Sequence, residues 1–297
     1  MTPQIAGIVP PLVTPFAEDE ELDEAALRAD VRYMIEQASV HGLVVGGSTG
    51  EGHTLTTDEL RRVVGAAVDE AAGRVPVLAG LIVDSTRQAV ERVRALSDLD
   101  VAALQVTPVH YLFRPTDDMM VRHFAAIAEA AHRPVMIYNV VPWSYCSPAL
   151  LARIVREVDG VIGVKQSAGD LKLMADLLLM LDGQGLVMSA IDALLYPSFA
   201  LGAHGAIAAI LTAAPKLCVQ LWDAVQRGDH AAALHLHRKL LRLWNAIVGD
   251  NLPANVKFAM ELQGRRGGFP RAPMPPSSEA QQAAIRVALQ GAGLLAD

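Results

Sequence analysis

Cysteine and lysine are both scarce in this chain of 297 residues. The two cysteines, Cys146 and Cys218, are too few for a disulfide framework and read as reduced thiols of a cytoplasmic protein. Lysine occurs five times against twenty arginines, no Lys/Arg-rich run appears, and the formal charge is −7. That balance excludes a general nucleic-acid binder. No stretch reaches the roughly 18 uncharged apolar residues of a membrane span, because the longest apolar runs are interrupted by Gly, Pro, Thr or His. The opening MTPQIAGIVPP has neither the basic segment nor the long apolar run of a secretory signal, which fits the same cytoplasmic expectation. Metal-site patterns are missing too. His235 and His237 stand two apart on a helical pattern and diverge, the remaining histidines are scattered, and there is no HExxH or paired CxxC. The expectation is an enzyme or binder that uses no metal and no cofactor.

What is abundant is apolar: 52% of the residues. Short apolar runs at 6–11, 42–47, 75–82, 101–107, 134–140, 161–166, 185–190 and 205–210 alternate with amphipathic stretches at 23–40, 56–72, 85–97, 117–131, 147–157, 169–181 and 192–202. The runs are continuous rather than alternating, as parallel strands covered on both faces should be. Asp23, Thr57, Ser85, Thr116, Ser147 and Asp192 stand where helix N-caps belong. Eight strand-helix units predict an α/β fold, a (β/α)8 TIM barrel over 1–212, with a doubly wound open sheet as the alternative. Beyond it no strand pattern recurs. Residues 214–248 and 277–294 read as helices, so 213–297 is expected to be a C-terminal helical extension packed on the barrel.

Barrel active sites lie at the C-terminal ends of the strands, so the polar residues that end each apolar run are the candidates. Lys165 follows Val161-Ile162-Gly163-Val164 inside a strand. Burial there penalises a charged ammonium and favours the nucleophilic free amine; the bland alternative is a buried lysine paired with a carboxylate. The other four lysines, Lys172, Lys216, Lys239 and Lys257, fall in helical patterns where solvated heads are expected. Gly46-Gly47-Ser48-Thr49-Gly50-Glu51 offers hydroxyls and free backbone N–H groups between a strand and a helix, suited to a carboxylate or phosphate, or merely to a tight turn. It lacks the lysine of a nucleotide loop, and Glu51 suits a cap on the next helix. Tyr138, after Val135-Met136-Ile137, either relays a proton at the barrel mouth or packs as an ordinary aromatic.

Taken together these residues match a known pattern. Val13-Thr14-Pro15-Phe16, Gly47-Ser48-Thr49-Gly50-Glu51, Tyr138-Asn139-Val140, Gly163-Val164-Lys165-Gln166-Ser167-Ala168-Gly169-Asp170, Leu201-Gly202-Ala203-His204-Gly205-Ala206-Ile207 and Pro253-Ala254-Asn255-Val256-Lys257 run in order from end to end. The chain resembles the dihydrodipicolinate synthase / N-acetylneuraminate lyase family. The resemblance implies that Lys165 attacks the ketone of pyruvate or another 2-oxo acid. It implies that Ser48 and Thr49, with Gly47 before them, hold the substrate carboxylate, and that Ala190 and Ile207 line the site, the Ile207 carbonyl facing the lysine. Tyr138, Ser48 and Tyr111 would form a proton relay, Tyr111 often reaching across a subunit interface in a homodimer or homotetramer.

The departures concern the second substrate. The loop after Pro108 reads Val-His-Tyr-Leu-Phe-Arg-Pro, longer than the family's usual Tyr-Tyr-Asn-Arg-Pro, so His110 competes with Tyr111 for the relay. Ala190 stands where the usual glycine does. Val140-Val141-Pro142-Trp143-Ser144-Tyr145 holds no arginine, whereas the synthases carry one there for the aldehyde's carboxylate. The first expectation is therefore an aldolase, lyase or dehydratase for a 2-oxo acid and an aldehyde, such as a 2-oxo-3-deoxy sugar acid. Dihydrodipicolinate synthase itself is the alternative, and a non-catalytic 2-oxo acid sensor is the alternative of another class.

Overall fold

A computed structural model describes residues 5–109 and 113–296. Eight parallel strands carry the fold: β1 (Gly7–Ile8), β2 (Leu43–Val45), β3 (Val77–Leu81), β4 (Ala103–Val106), β5 (Val135–Asn139), β6 (Val161–Gln166), β7 (Leu186–Ser189) and β8 (Gly205–Ala206). Each pairs with its sequence neighbour from β2 to β8, and β8 pairs with β1. Closure is completed just past β1, where Pro11 bridges Val44 in parallel and the Leu12 N–H donates to the Val44 carbonyl. The sheet is a (β/α)8 barrel, not an open doubly wound sheet.

Its interior is a plug of one side chain from each of β2, β3, β4, β5 and β7 (Val44, Leu78, Ala103, Met136 and Met188), with Ile5, Val9 and Ile207 from beside β1 and β8. A larger shell of apolar side chains joins the outer face of the strands to the helices. The helices α1 (Glu24–Arg32), α2 (Thr57–Ala71), α3 (Thr86–Ala95), α4 (Asp117–Ala131), α5 (Pro148–Glu157), α6 (Leu171–Leu181) and α7 (Leu195–Ala200) follow β1 to β7 in turn. Asp23, Ser85, Thr116 and Ser147 accept first-turn backbone N–H groups as expected. Two caps differ. For α2 the cap is Thr56, not Thr57, because Glu59 reaches back to the Thr56 N–H and closes a capping box. Asp192 does not cap the helix that follows it; its carboxylate takes the Ile210 N–H at 2.8 Å, in the first turn of the helix after β8, and so ties the end of β7 to that helix.

The last strand is shorter than the apolar run 205–210, since α8 (Ala209–Ala213) begins inside it. The stretch 214–248 is two helices, α9 (Pro215–Gln226) and α10 (His230–Ile247), separated at Gly228 with φ 72°. A further helix, α11 (Leu252–Leu262), precedes α12 (Glu279–Ala292). Among the described residues no helix is long and apolar enough to cross a membrane.

Candidate active site

At the C-terminal ends of the strands lies a cavity of about 690 Å³. Lys165 and Tyr138 reach it as register partners on β6 and β5. Lys165 is 3% exposed and forms no ion pair among the described residues. Its Nζ lies 3.5 Å from the centroid of the Tyr138 ring. The Tyr138 hydroxyl donates to Ser48 Oγ at 3.2 Å, which draws β5, β6 and the loop after β2 onto one point. Thr49, Ala190 and Ile207 line the same cavity. Gly47 does not; it opens the loop behind Ser48, its carbonyl taking the Gly52 N–H at 3.0 Å. Tyr111 and His110 fall outside the described residues.

That loop is tightly wound. The Glu51 N–H donates to the Ser48 carbonyl, and Thr14 Oγ1 donates to the Gly50 carbonyl at 2.6 Å. Any side chain at Gly52 would put a Cβ 1.8 Å from the Gly46 carbonyl oxygen. Two expectations about this region are overturned. Glu51 does not cap the helix that follows: it is wholly buried and pairs with Lys257 at 2.6 Å. Lys257 is accordingly not a solvated lysine, but sits on α11 at 1% exposure. The buried lysine with a carboxylate partner exists in this protein, and it is Lys257 rather than Lys165.

Other residues, which the sequence does not mark as site residues, complete the cavity; Asp192 is expected there only as a helix cap. Asp192 lines it beside Lys165; burial pushes its carboxyl up to about 6, against the pull of the Ile210 N–H and of Lys165. Trp244, Asp250 and Met274 come from the C-terminal extension, and His53 from the loop before α2. Nothing local in the sequence marks the three from the extension, since they depend on how it folds back over the barrel. Tyr145 donates its hydroxyl to the Ser167 carbonyl at 3.3 Å, and burial raises its pKa, with Tyr138 adding to the rise. Arg114 is exposed and donates to the Tyr145 carbonyl at 3.2 Å, and among the described residues no arginine lines the cavity.

The model of the dihydrodipicolinate synthetase family matches residues 4–292. This chain belongs to the dihydrodipicolinate synthetase family. It is 39% identical over 300 residues to 4-hydroxy-tetrahydrodipicolinate synthase of Methylobacterium radiotolerans, covering 99% of this chain and 98% of that one. It is 36% identical over 295 residues to the enzyme of the same name from Methanopyrus kandleri, covering 98% of each. Among solved structures it matches the chloride-inhibited dihydrodipicolinate synthase of Acinetobacter baumannii complexed with pyruvate, with a TM-score of 0.92, 30% identity and 98% and 100% coverage. It also matches YagE, a prophage protein of the dihydrodipicolinic acid synthase family from E. coli K12 in complex with pyruvate, with a TM-score of 0.92, 27% identity and 98% and 99% coverage. As a family member the chain is a class I lyase, working through a lysine Schiff base. A non-catalytic sensor is thereby set aside.

Proposed function

We propose that Lys165 forms the Schiff base, with pyruvate, and that the resulting enamine adds to an aldehyde. The observation that carries this is Lys165 itself: buried, in no salt bridge among the described residues, and stacked on the tyrosine whose hydroxyl meets Ser48. The free amine attacks the ketone carbon, and the carbinolamine loses water as Tyr138 supplies the proton to the departing hydroxyl. Ser48 and Thr49 hold the carboxylate. The protonated imine withdraws electrons from the adjacent carbon, so loss of a proton there gives an enamine. The enamine carbon then bonds to the aldehyde carbon, whose oxygen takes a proton. Two pyruvate complexes among the matched structures support the donor. Residues 1–212 serve in this reading as the barrel and 213–297 as the extension that closes the cavity with Trp244, Asp250 and Met274.

For the acceptor, the names of the curated relatives put 4-hydroxy-tetrahydrodipicolinate synthase first; the family resemblance makes aspartate semialdehyde the aldehyde of that reading. That reverses the order expected from the sequence. One observation favours the second reading, a neutral hydroxy-aldehyde or a 2-oxo-3-deoxy sugar acid: no arginine lines the cavity among the described residues, while Asp192 and Asp250 do. A half-buried carboxylate needs a cation or several donors. The test is kcat/KM for aspartate semialdehyde against a panel of neutral hydroxy-aldehydes, each with pyruvate. The synthase reading expects the semialdehyde to lead by at least about tenfold, roughly 1.4 kcal/mol of transition-state discrimination; a lead for a neutral aldehyde contradicts it. Family resemblance also supports a homodimer or homotetramer, and light scattering on the active protein checks this, an active monomer being the contrary result.

A further inference from the structure

The loop that carries Ser48 and Thr49 is anchored from the far end of the chain. Glu51 Oε1 takes a hydrogen bond from Lys257 Nζ at 2.6 Å, and its Oε2 takes the Arg271 N–H at 2.9 Å. Lys257 Nζ also donates to the Phe269 carbonyl at 2.6 Å and stands 4.7 Å from the centroid of the Phe16 ring. Both charged side chains are fully buried, and the two residues are 206 positions apart. Glu51 meanwhile holds φ 53°, in the left-handed region that a residue with a side chain seldom occupies.

Two costs therefore meet at one residue. Burying an ion pair gains little over an apolar pair of the same size, because the desolvation of both charges offsets their attraction. Holding a non-glycine residue at positive φ adds strain, which persists only where the surroundings over-determine it. Both occur three residues after Ser48, in the turn that the Glu51 N–H closes onto the Ser48 carbonyl. The pair touches neither Lys165 nor Tyr138 among the described contacts. A device that only held the extension down could sit anywhere along their shared surface.

We infer that the Glu51–Lys257 pair is a positioning device for the carboxylate-binding loop, through which the C-terminal extension sets the affinity for the 2-oxo acid. It acts through Ser48 and Thr49 and rests on their proposed role in holding that carboxylate. Glu51 draws the loop inward against α11 and the segment at Phe269–Arg271. This holds the Ser48 and Thr49 hydroxyls and the nearby backbone N–H groups in place before substrate arrives.

The experiment is borohydride trapping of the full-length protein over a range of pyruvate concentrations, with peptide mapping and thermal melting. Two variants are used. Glu51→Asp keeps the charge but withdraws the carboxylate by one methylene. The double variant Glu51→Gln/Lys257→Met leaves no unpaired buried charge, so it should retain most of the melting temperature. In both, Lys165 is expected to be fully labelled at saturating pyruvate, while the half-saturating concentration rises tenfold or more. The KM for pyruvate should rise in parallel, with a smaller change in kcat. A folded variant that half-saturates within about twofold of the wild type overturns the inference. Loss of the fold in both variants overturns it as well, since the pair would then be a requirement of folding. No labelling of Lys165 in the wild type is a different failure, that of the Schiff-base assignment.

Discussion

Lys165 and Lys257 are both buried, and only their partners tell them apart. Lys257 has Glu51 and the Phe269 carbonyl; Lys165 has the face of Tyr138. In the proposed mechanism the proton at the reaction centre comes through Tyr138, whose hydroxyl has Ser48 as its hydrogen-bond acceptor. Tyr138→Phe removes that hydroxyl and little volume, so the barrel should fold as before. If the hydroxyl is the general acid/base, steady-state turnover should fall about 10²- to 10⁴-fold. Turnover near the wild-type value in a folded variant would reduce Tyr138 to packing. Lys165 could be picked out from the sequence because an ionisable residue inside an apolar strand is anomalous in itself. Lys257 could not: in a helical pattern a lysine looks solvated, and its burial depends on a carboxylate 206 residues away.

At the scale of elements, strand and helix alternation was readable because the apolar runs are continuous and the helix N-caps are short-range signals. The misplaced boundaries have physical causes. The run 205–210 continues past β8 because α8 is itself wholly buried and as apolar as a strand. Residues 214–248 look like one helix because the amphipathic pattern resumes after the turn at Gly228. Helix α4 offers a test of packing. His123 is buried, its Nδ1 lies 2.9 Å from the Thr86 hydroxyl of α3, and burial lowers its pKa to about 4 from an ordinary 6.5. Between those values the unfolded chain binds the proton more readily than the folded one. Stability from this group is therefore complete above about pH 6.5 and is lost as pH falls toward 4. The full loss is at most about 3 kcal/mol, from 1.36 kcal/mol per pKa unit. Denaturant midpoints of wild type and His123→Gln, taken from pH 7 down to 4, should converge as the wild type loses this term. Parallel curves would show that His123 does not charge in the unfolding reaction.

For the whole molecule, the barrel brings together residues that the sequence scatters: Ser48, Tyr138, Lys165, Ala190 and Ile207 surround one cavity. Strand-end logic picked out Ser48, Tyr138 and Lys165, each at or just past the end of an apolar run, whereas Ala190 and Ile207 came from the family resemblance. The other half, Trp244, Asp250 and Met274, comes from the extension, whose return path no local pattern encodes. The cavity therefore joins a barrel-borne reaction centre to an extension-borne wall, and the central claim rests on the first of these. Its most direct test is covalent. The protein is incubated with pyruvate, reduced with borohydride and digested, and the peptides are weighed. One reduced pyruvyl adduct per chain, mapped to Lys165 and absent from Lys165→Ala, is the result expected. A protein that turns over its substrates yet leaves Lys165 unmodified would contradict the account.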